Sequence, residues 1–569
     1  MSKFFLGLFT GVLLVFLGGF LLLVLVFVLV RDHQPEVASN SVLVMRLEGE
    51  IPEKPAMEMP FVESSRAAVT VASVWTSLRR AAQDSHIRAV VLEPEGLSVG
   101  WAKLEEIRGD VEQFRKSGKP VYAYLRNPSA REYYVALAAD RIYLGPEDPL
   151  MLKGMRAEIF YFKNTLEKLG VSVEVEHDGK YKDFGDMFTR SDMSAETKEV
   201  INSVVDDLYG NLVARIAAAR RKTPEQVRAL IDQGPFSAPD ALEAGLVDEL
   251  RFEDQMWGEL RDRLRGGEPN KVALSKYLKT TPRNTPRNHF ALVVAEGDIV
   301  RGAPGDDGGD GLTSYGFGKL LRDAAADSQV GGILVRIDSP GGEVSASDEM
   351  WRAMSLASKK KPLVISMSDL AASGGYYMAM TGDPIVAYPE TETGSIGVVF
   401  GKPNLHGLYD KLGITKDSVE RGRNAGIDSD YAPLNADQRA LLQRGIDQSY
   451  REFVTKVATA RHRPYAEMEE VAQGRVWLGS QAKPRRLVDE LGGLDTAVSL
   501  LKKKAGIAAG EEVGLLLYPG KRSLLDLWFK RSQDDALETK LRAVFGRVPF
   551  RAWMGGGMLR MMPEWVEVR

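Results

Sequence analysis

The chain has no cysteine. That excludes disulfides, thiolate metal sites and a cysteine nucleophile, and it is compatible with an oxidising compartment without requiring one. Histidine is scarce, with 6 in 569 residues, none in a motif with a candidate nucleophile, and neither Gly-x-Ser-x-Gly nor His-Glu-x-x-His occurs. A histidine-assisted serine and a zinc-protease helix are therefore poorly supported, and no metal or cofactor is expected. Positive charge is not in excess either. The formal net charge is −4, with 27% charged residues of both signs interspersed, so no basic field favours nucleic acid. Long apolar runs are missing too, with one exception near the start.

That exception, residues 4–30, contains no charged side chain, and ~20 apolar residues suffice for a helix to cross a bilayer. The run ends in Leu29-Val30-Arg31-Asp32 without a small-x-small cleavage site, which predicts an uncleaved anchor rather than a removed signal. Lys3, Arg31 and Asp32 orient it only weakly. Everything from residue 32 onward is expected on one side of the membrane.

The rest of the chain repeats itself. Sliding it by 243 residues lays Tyr133-Tyr134 on Tyr376-Tyr377, Asp140 on Asp383 and Lys168-Leu169-Gly170 on Lys411-Leu412-Gly413. Leu-Val-Asp-Glu-Leu recurs at 246–250 and 487–491, an offset of 241. Apolar β-branched runs such as Ala89-Val90-Val91-Leu92 and Gly332-Ile333-Leu334-Val335 alternate with helical stretches, the pattern of parallel βαβ units buried on both faces. The expected organisation is an anchor at 1–31, a first α/β repeat at 41–270, a linker at 271–288, a second α/β repeat at 289–505 and an extension at 506–569. In the extension, Leu524, Trp528, Phe529 and Leu541 make an apolar helical face suited to packing or to a membrane surface.

In the same register Ser373 falls on Ala130, and Lys182 falls on Ala425. Each half keeps a reactive side chain where the other has alanine, which predicts one composite site. Ser373 stands among Ala371, Ala372, Gly374 and Gly375, small neighbours that admit a substrate backbone but serve a turn or tight helix packing equally well. Asp338-Ser339-Pro340-Gly341-Gly342 follows an apolar strand; tandem glycines there either make a plain turn or expose N–H groups to a developing oxyanion. A lysine can replace the missing histidine if burial lowers its pKa from about 10.4 toward neutrality. A hydroxyl beside the amine would orient it, and Thr393-Gly394-Ser395-Ile396-Gly397 offers Ser395. The Ser-x-x-Lys match at Ser358 to Lys361 lies in a run of lysines and reads as solvated surface.

Taken together, DSPGG, ASGGYY, TGSIG, GKYK and RVW, preceded by one apolar span and set on a tandem repeat, closely resemble the signal peptide peptidase A family of the long, double-domain type. The resemblance runs from residue 4 to about 505. It implies two tandem Clp-protease/crotonase-like domains, and a membrane-anchored serine endopeptidase that degrades residual signal peptides and other hydrophobic peptides. By motif, Ser373 resembles the nucleophile, Lys182 the general base and Ser395 the residue orienting the lysine. Backbone N–H groups of Gly341 and Gly342, with Gly374, resemble the oxyanion donors. The resemblance also implies a homotetramer at the bacterial inner membrane, single-pass, with periplasmic catalytic domains. One departure is Pro484-Arg485-Arg486 ahead of Leu487, where the family commonly has a glycine. Two rival readings stand beside it. A crotonase-like acyl-CoA enzyme needs no membrane span and positions carboxylates rather than a lysine, and a non-catalytic membrane scaffold requires an incomplete Ser/Lys pair.

Overall fold

The computed structural model describes residues 36–55, 69–280, 286–302 and 312–518, with short pieces near the ends at 7, 11, 17–19, 558–562 and 567–568. The expected anchor at 4–30 lies almost wholly outside the described residues, and the apolar face expected at 524–541 lies outside them entirely. Among the described residues no helix is long and apolar enough to cross a membrane.

Continuous apolar runs become central strands because a strand sends alternate side chains to opposite faces. In the first half Leu43, Met45, Val90 and Leu92 enter one core, while Val42, Ala89 and Val91 enter another on the far side of the sheet. Helices Val71–Gln83 and Trp101–Arg115 cover the first face, and Glu253–Leu264 covers the second. The second half repeats this division, with Ala291, Val293, Ile333 and Val335 on one face and Phe290, Leu292, Val294 and Leu334 on the other.

The repeat in sequence is a repeat in topology. The first sheet runs Glu249–Leu250, Arg141–Leu144, Val121–Leu125, Ile87–Leu97, Ser41–Gly49, Asn270–Ala273, every neighbour parallel. In the second, Glu490–Leu491, Ile385–Ala387, Leu363–Ala372, Val330–Ser339, Asn288–Glu296 and Val513–Tyr518 follow in the same parallel order, and the sheet is extended by Glu392–Gly394, parallel to the end of Leu363–Ala372, and by Val476–Leu478, antiparallel to Glu392–Gly394. One edge of each sheet runs past the 41–270 and 289–505 spans read from sequence. Most of Asn270–Ala273 comes from the stretch read as linker, and Val513–Tyr518 carries the second sheet past residue 505. Equivalent details recur: Tyr133 donates its hydroxyl to the Leu246 carbonyl at 2.6 Å, and Tyr376 donates to the Leu487 carbonyl at 2.8 Å.

The family glycine missing before Leu487 is replaced without a change of path. Arg486 takes the left-handed conformation at φ 59°, as Gly245 does at φ 67° before Leu246.

Several contacts join the halves, and two stand out. Ser172–Asp178 of the first half pairs antiparallel with Val398–Asn404 of the second along its whole length. A buried ionic contact also crosses between them, in which Arg336 places Nη2 2.8 Å from Glu53 and 2.5 Å from Glu106. All three side chains are buried, so removing Arg336 would leave two buried carboxylates without their shared cation.

Candidate active site

Ser373 follows the strand Leu363–Ala372 and opens the short helix Gly374–Met378. Its backbone sits at φ 53°, ψ −112°, a region that a residue with a Cβ occupies only when its surroundings impose it. They do so here by hydrogen bonds: the Ser373 N–H donates to the Gly394 carbonyl, and the Tyr377 N–H donates to the Ser373 carbonyl, both at 2.8 Å.

The flanking glycines are required by close approach. A Cβ on Gly374 would lie 2.5 Å from Ser347 Oγ and 3.1 Å from Gly342 N, and one on Gly342, at φ 154°, would lie 2.0 Å from the Ile299 carbonyl oxygen. Gly341, Gly342 and Gly374 are thereby packed against one another beside the serine. The Gly341 N–H donates to Ser339 Oγ at 3.2 Å.

Lys182 arrives from the other half. The strand Ser172–Asp178, paired with the second half, delivers the turn Gly179 to Lys182, and the Tyr181 N–H pins that turn by donating to the Gln473 carbonyl at 2.7 Å. Lys182 Nζ lies 2.8 Å from Ser373 Oγ, 2.9 Å from Ser395 Oγ and 2.9 Å from the Ser395 carbonyl oxygen. Ser373 is 0% exposed, Lys182 1% and Ser395 1%. Both halves of the contact belong to one chain. Beside it, burial raises the Asp183 carboxyl above the ordinary range, although the Thr197 hydroxyl and Lys182 act the other way.

Sequence reasoning missed what makes room for the lysine. A Cβ on Gly474, ahead of RVW, would lie 2.6 Å from Lys182 N, and one on Gly397 would lie 3.0 Å from Lys182 Cδ. The visible sign was a glycine adjoining a motif already singled out. The alanines at the repeat-equivalent positions have no such setting. Ala425 is exposed in a turn. Ala130 starts the helix Ala130–Ala136, whose preceding Ser129 serves as a cap for the Arg131 N–H and partners Glu132.

Beside the serine lies a strand from the far end of the chain. Met558–Met561 pairs antiparallel with Gly341–Glu343 on one side and with Val399 and Phe400 on the other, with Met561 opposite Gly341 and Arg560 opposite Gly342. The Met562 N–H donates to the Pro340 carbonyl at 3.2 Å.

Comparison with known proteins gives the class and then the family. Residues 113–265 and 355–508 each match Peptidase family S49. "Serine protease SPPA, chloroplastic" of Arabidopsis thaliana is 34% identical over 84% of this chain and 71% of its own. "Protease 4" of Salmonella typhi is 35% identical over 80% of this chain and 74% of its own, and "Protease 4" of Haemophilus influenzae 30% over 85% and 83%. Among solved structures, "ClpP1 from Listeria monocytogenes" matches 36% of this chain and 91% of that one, at 16% identity and a TM-score of 0.23, too low to carry an argument. The protein is thus a serine peptidase. It belongs to peptidase family S49, whose unit it contains twice.

Proposed function

We propose that the chain is a membrane-anchored endopeptidase that cuts residual signal peptides and other hydrophobic peptides with Ser373 as nucleophile and Lys182 as general base. The observation carrying this reading is the 2.8 Å contact between Lys182 Nζ and Ser373 Oγ in a site without solvent exposure. A neutral amine has two N–H donors and one lone pair. Two N–H groups match the two Ser395 oxygens at 2.9 Å, which leaves the lone pair for the Ser373 hydroxyl proton. Ser395 is in this way the orienting residue.

As Ser373 Oγ attacks the scissile carbonyl, its proton passes to Lys182. The tetrahedral oxyanion is held by backbone N–H groups of Gly342 and Gly374, since the Gly341 N–H already serves Ser339. The Lys182 ammonium then protonates the leaving amine, and the acyl-enzyme is hydrolysed by water with the same amine as base. No cofactor or metal enters these steps. The bound strand Met558–Met561 supports an extended peptide as substrate, because the slot beside the glycines takes a chain in β geometry.

The apolar run at 4–30 supports the membrane anchor. In this reading both repeats stand on the periplasmic side of a bacterial inner membrane and chains assemble as homotetramers. Phe160 and Leu412, each 64% exposed, supply apolar surface for that assembly.

The test is hydrolysis of a hydrophobic peptide by the full chain, wild type against Ser373→Ala, together with labelling by a serine-reactive phosphonate located by mass spectrometry. Modification at Ser373 and loss of hydrolysis in the variant are expected. Undiminished hydrolysis by Ser373→Ala would refute the assignment.

A further inference from the structure

A second lysine of the first half reaches the same part of the second half. Lys103, on the helix Trp101–Arg115, is 7% exposed and holds Nζ 2.6 Å from Asp338 and 3.9 Å from Asp369. Asp338 is the last residue but one of the strand that leads to Gly341-Gly342, and Asp369 lies in the strand that leads to Ser373.

These two strands pair in register as far as Ile337 opposite Met367, then slip, and resume at Ser339 opposite Ala371. The slip is a bulge, a device that re-aims whatever follows it. Asp338 bridges the gap, its Oδ1 accepting the Leu370 N–H at 3.1 Å. Asp369 turns back to the first half and accepts the N–H groups of Gly100 and Lys103, both at 2.9 Å, at the start of the helix that carries Lys103. A Cβ on Gly100 would lie 2.4 Å from the Asp369 carboxyl carbon, so a side chain there would push the two halves apart.

Two carboxylates flanking one bulge repel each other, and burial penalises both. Burial pushes the Asp369 carboxyl up to about 6, with Lys103 acting against the rise. Burial also works against the Lys103 ammonium, but Asp338 and Asp369 outweigh it and hold its pKa above the ordinary lysine value. The repeat shows that this cluster is not a requirement of the fold. In the register of 243, Lys103 falls on the buried Ala346 and Asp338 falls on Glu95. Glu95 is exposed, and Arg126 of its own half lies 3.9 Å away. The contact runs one way, from the half that bears Lys182 into the half that bears Ser373.

We propose that Lys103 is a positioning residue for peptide hydrolysis. By holding Asp338 across the interface it fixes the bulge from which Gly341-Gly342 and Ser373 diverge. The first half then sets the geometry of acyl transfer as well as supplying the base. This rests on the reading of Ser373 as nucleophile.

The test uses the full chain with Lys103→Met and with Lys103→Met combined with Asp338→Asn. Active sites are counted by phosphonate labelling of Ser373, and hydrolysis is followed well below each variant's Tm. Lys103→Met is expected to lower kcat by about tenfold or more, the cost of a displaced reacting group, with KM within about twofold of wild type. The double variant keeps an acceptor for the Leu370 N–H and removes the orphaned charge, so it should recover most of that kcat. An unchanged kcat with only a lower Tm would overturn the proposal, and so would a loss that Asp338→Asn does not recover. If Lys103→Met does not fold, Lys103→Met with Asp338→Ala is read instead. It lacks both the charge pair and the acceptor, and wild-type kcat in it would overturn the proposal. Wild-type protein that is not labelled at Ser373 defeats the nucleophile reading beneath it; labelled wild type with unaffected variants defeats only the clamp.

Discussion

Lys182 Nζ and Ser373 Oγ lie 2.8 Å apart, although 191 positions separate them in the chain. The contact depends on one strand pairing between the halves, Ser172–Asp178 against Val398–Asn404. An amine with two hydroxyls and a carbonyl around it, all buried, is the arrangement on which the proposed general-base role rests.

Ser373→Ala and Lys182→Ala should each lower hydrolysis by several orders of magnitude, and the double variant should be little worse than either, because residues acting as a unit are not additive. Ser395→Ala should cost less, about tenfold to a hundredfold. Steady-state kinetics on folded protein checks this. Substantial activity in Lys182→Ala would remove it as the base.

The pH dependence follows from the form of the amine that works. Only neutral Lys182 can take the serine proton, so kcat/KM should rise with pH and level off on the alkaline side, until the fold fails. A bell centred below neutrality would point to a carboxylate base instead.

Arg560→Pro tests the strand lying in the slot. Proline cannot donate a backbone N–H and is excluded from strands paired on both sides, so Met558–Met561 should leave its place between Gly341–Glu343 and Val398–Asn404. Peptide hydrolysis and the rate of Ser373 labelling should both rise several-fold. A rate equal to or below wild type would show that the strand does not compete with substrate.

Glu390 ties stability to pH. Burial, with Glu105 nearby, pushes its carboxyl from 4.5 up to about 8. Between those values the folded protein holds a proton that the unfolded chain releases, so this contribution to stability is complete at low pH, declines as pH rises through the window and levels off above it. Glu390→Gln removes the liability. Its Tm should match wild type near pH 4.5 and exceed it at pH 8.5, by an amount equivalent to at least ~1 kcal/mol. An advantage that does not grow with pH would contradict the assignment.

Ala425→Lys in a Lys182→Ala background should not restore activity. Position 425 is exposed in a turn, whereas Lys182 runs between Gly397 and Gly474 with almost no exposed surface. Clear rescue in the hydrolysis assay would show that burial is not what makes the lysine a base.

By itself the sequence determined the two-fold repeat, the buried parallel strands and the unmatched serine and lysine on which the proposed dyad rests. Strand burial is written locally, in continuous runs such as Ala89 to Leu92 and Gly332 to Val335, and the unmatched Ser373 and Lys182 stand out once the copies are aligned. The left-handed turn at Arg486 was visible only as a missing glycine. Tertiary structure alone decided that Gly474 and Gly397 make the lysine's slot, that Lys103 meets Asp338, and that Met558–Met561 lies beside the serine. In each case the partners are far apart in sequence. Periodicity and composition encode whether a side chain is buried, but not which distant segment buries it; that choice is made when a strand of one half pairs with a strand of the other and their charged side chains meet.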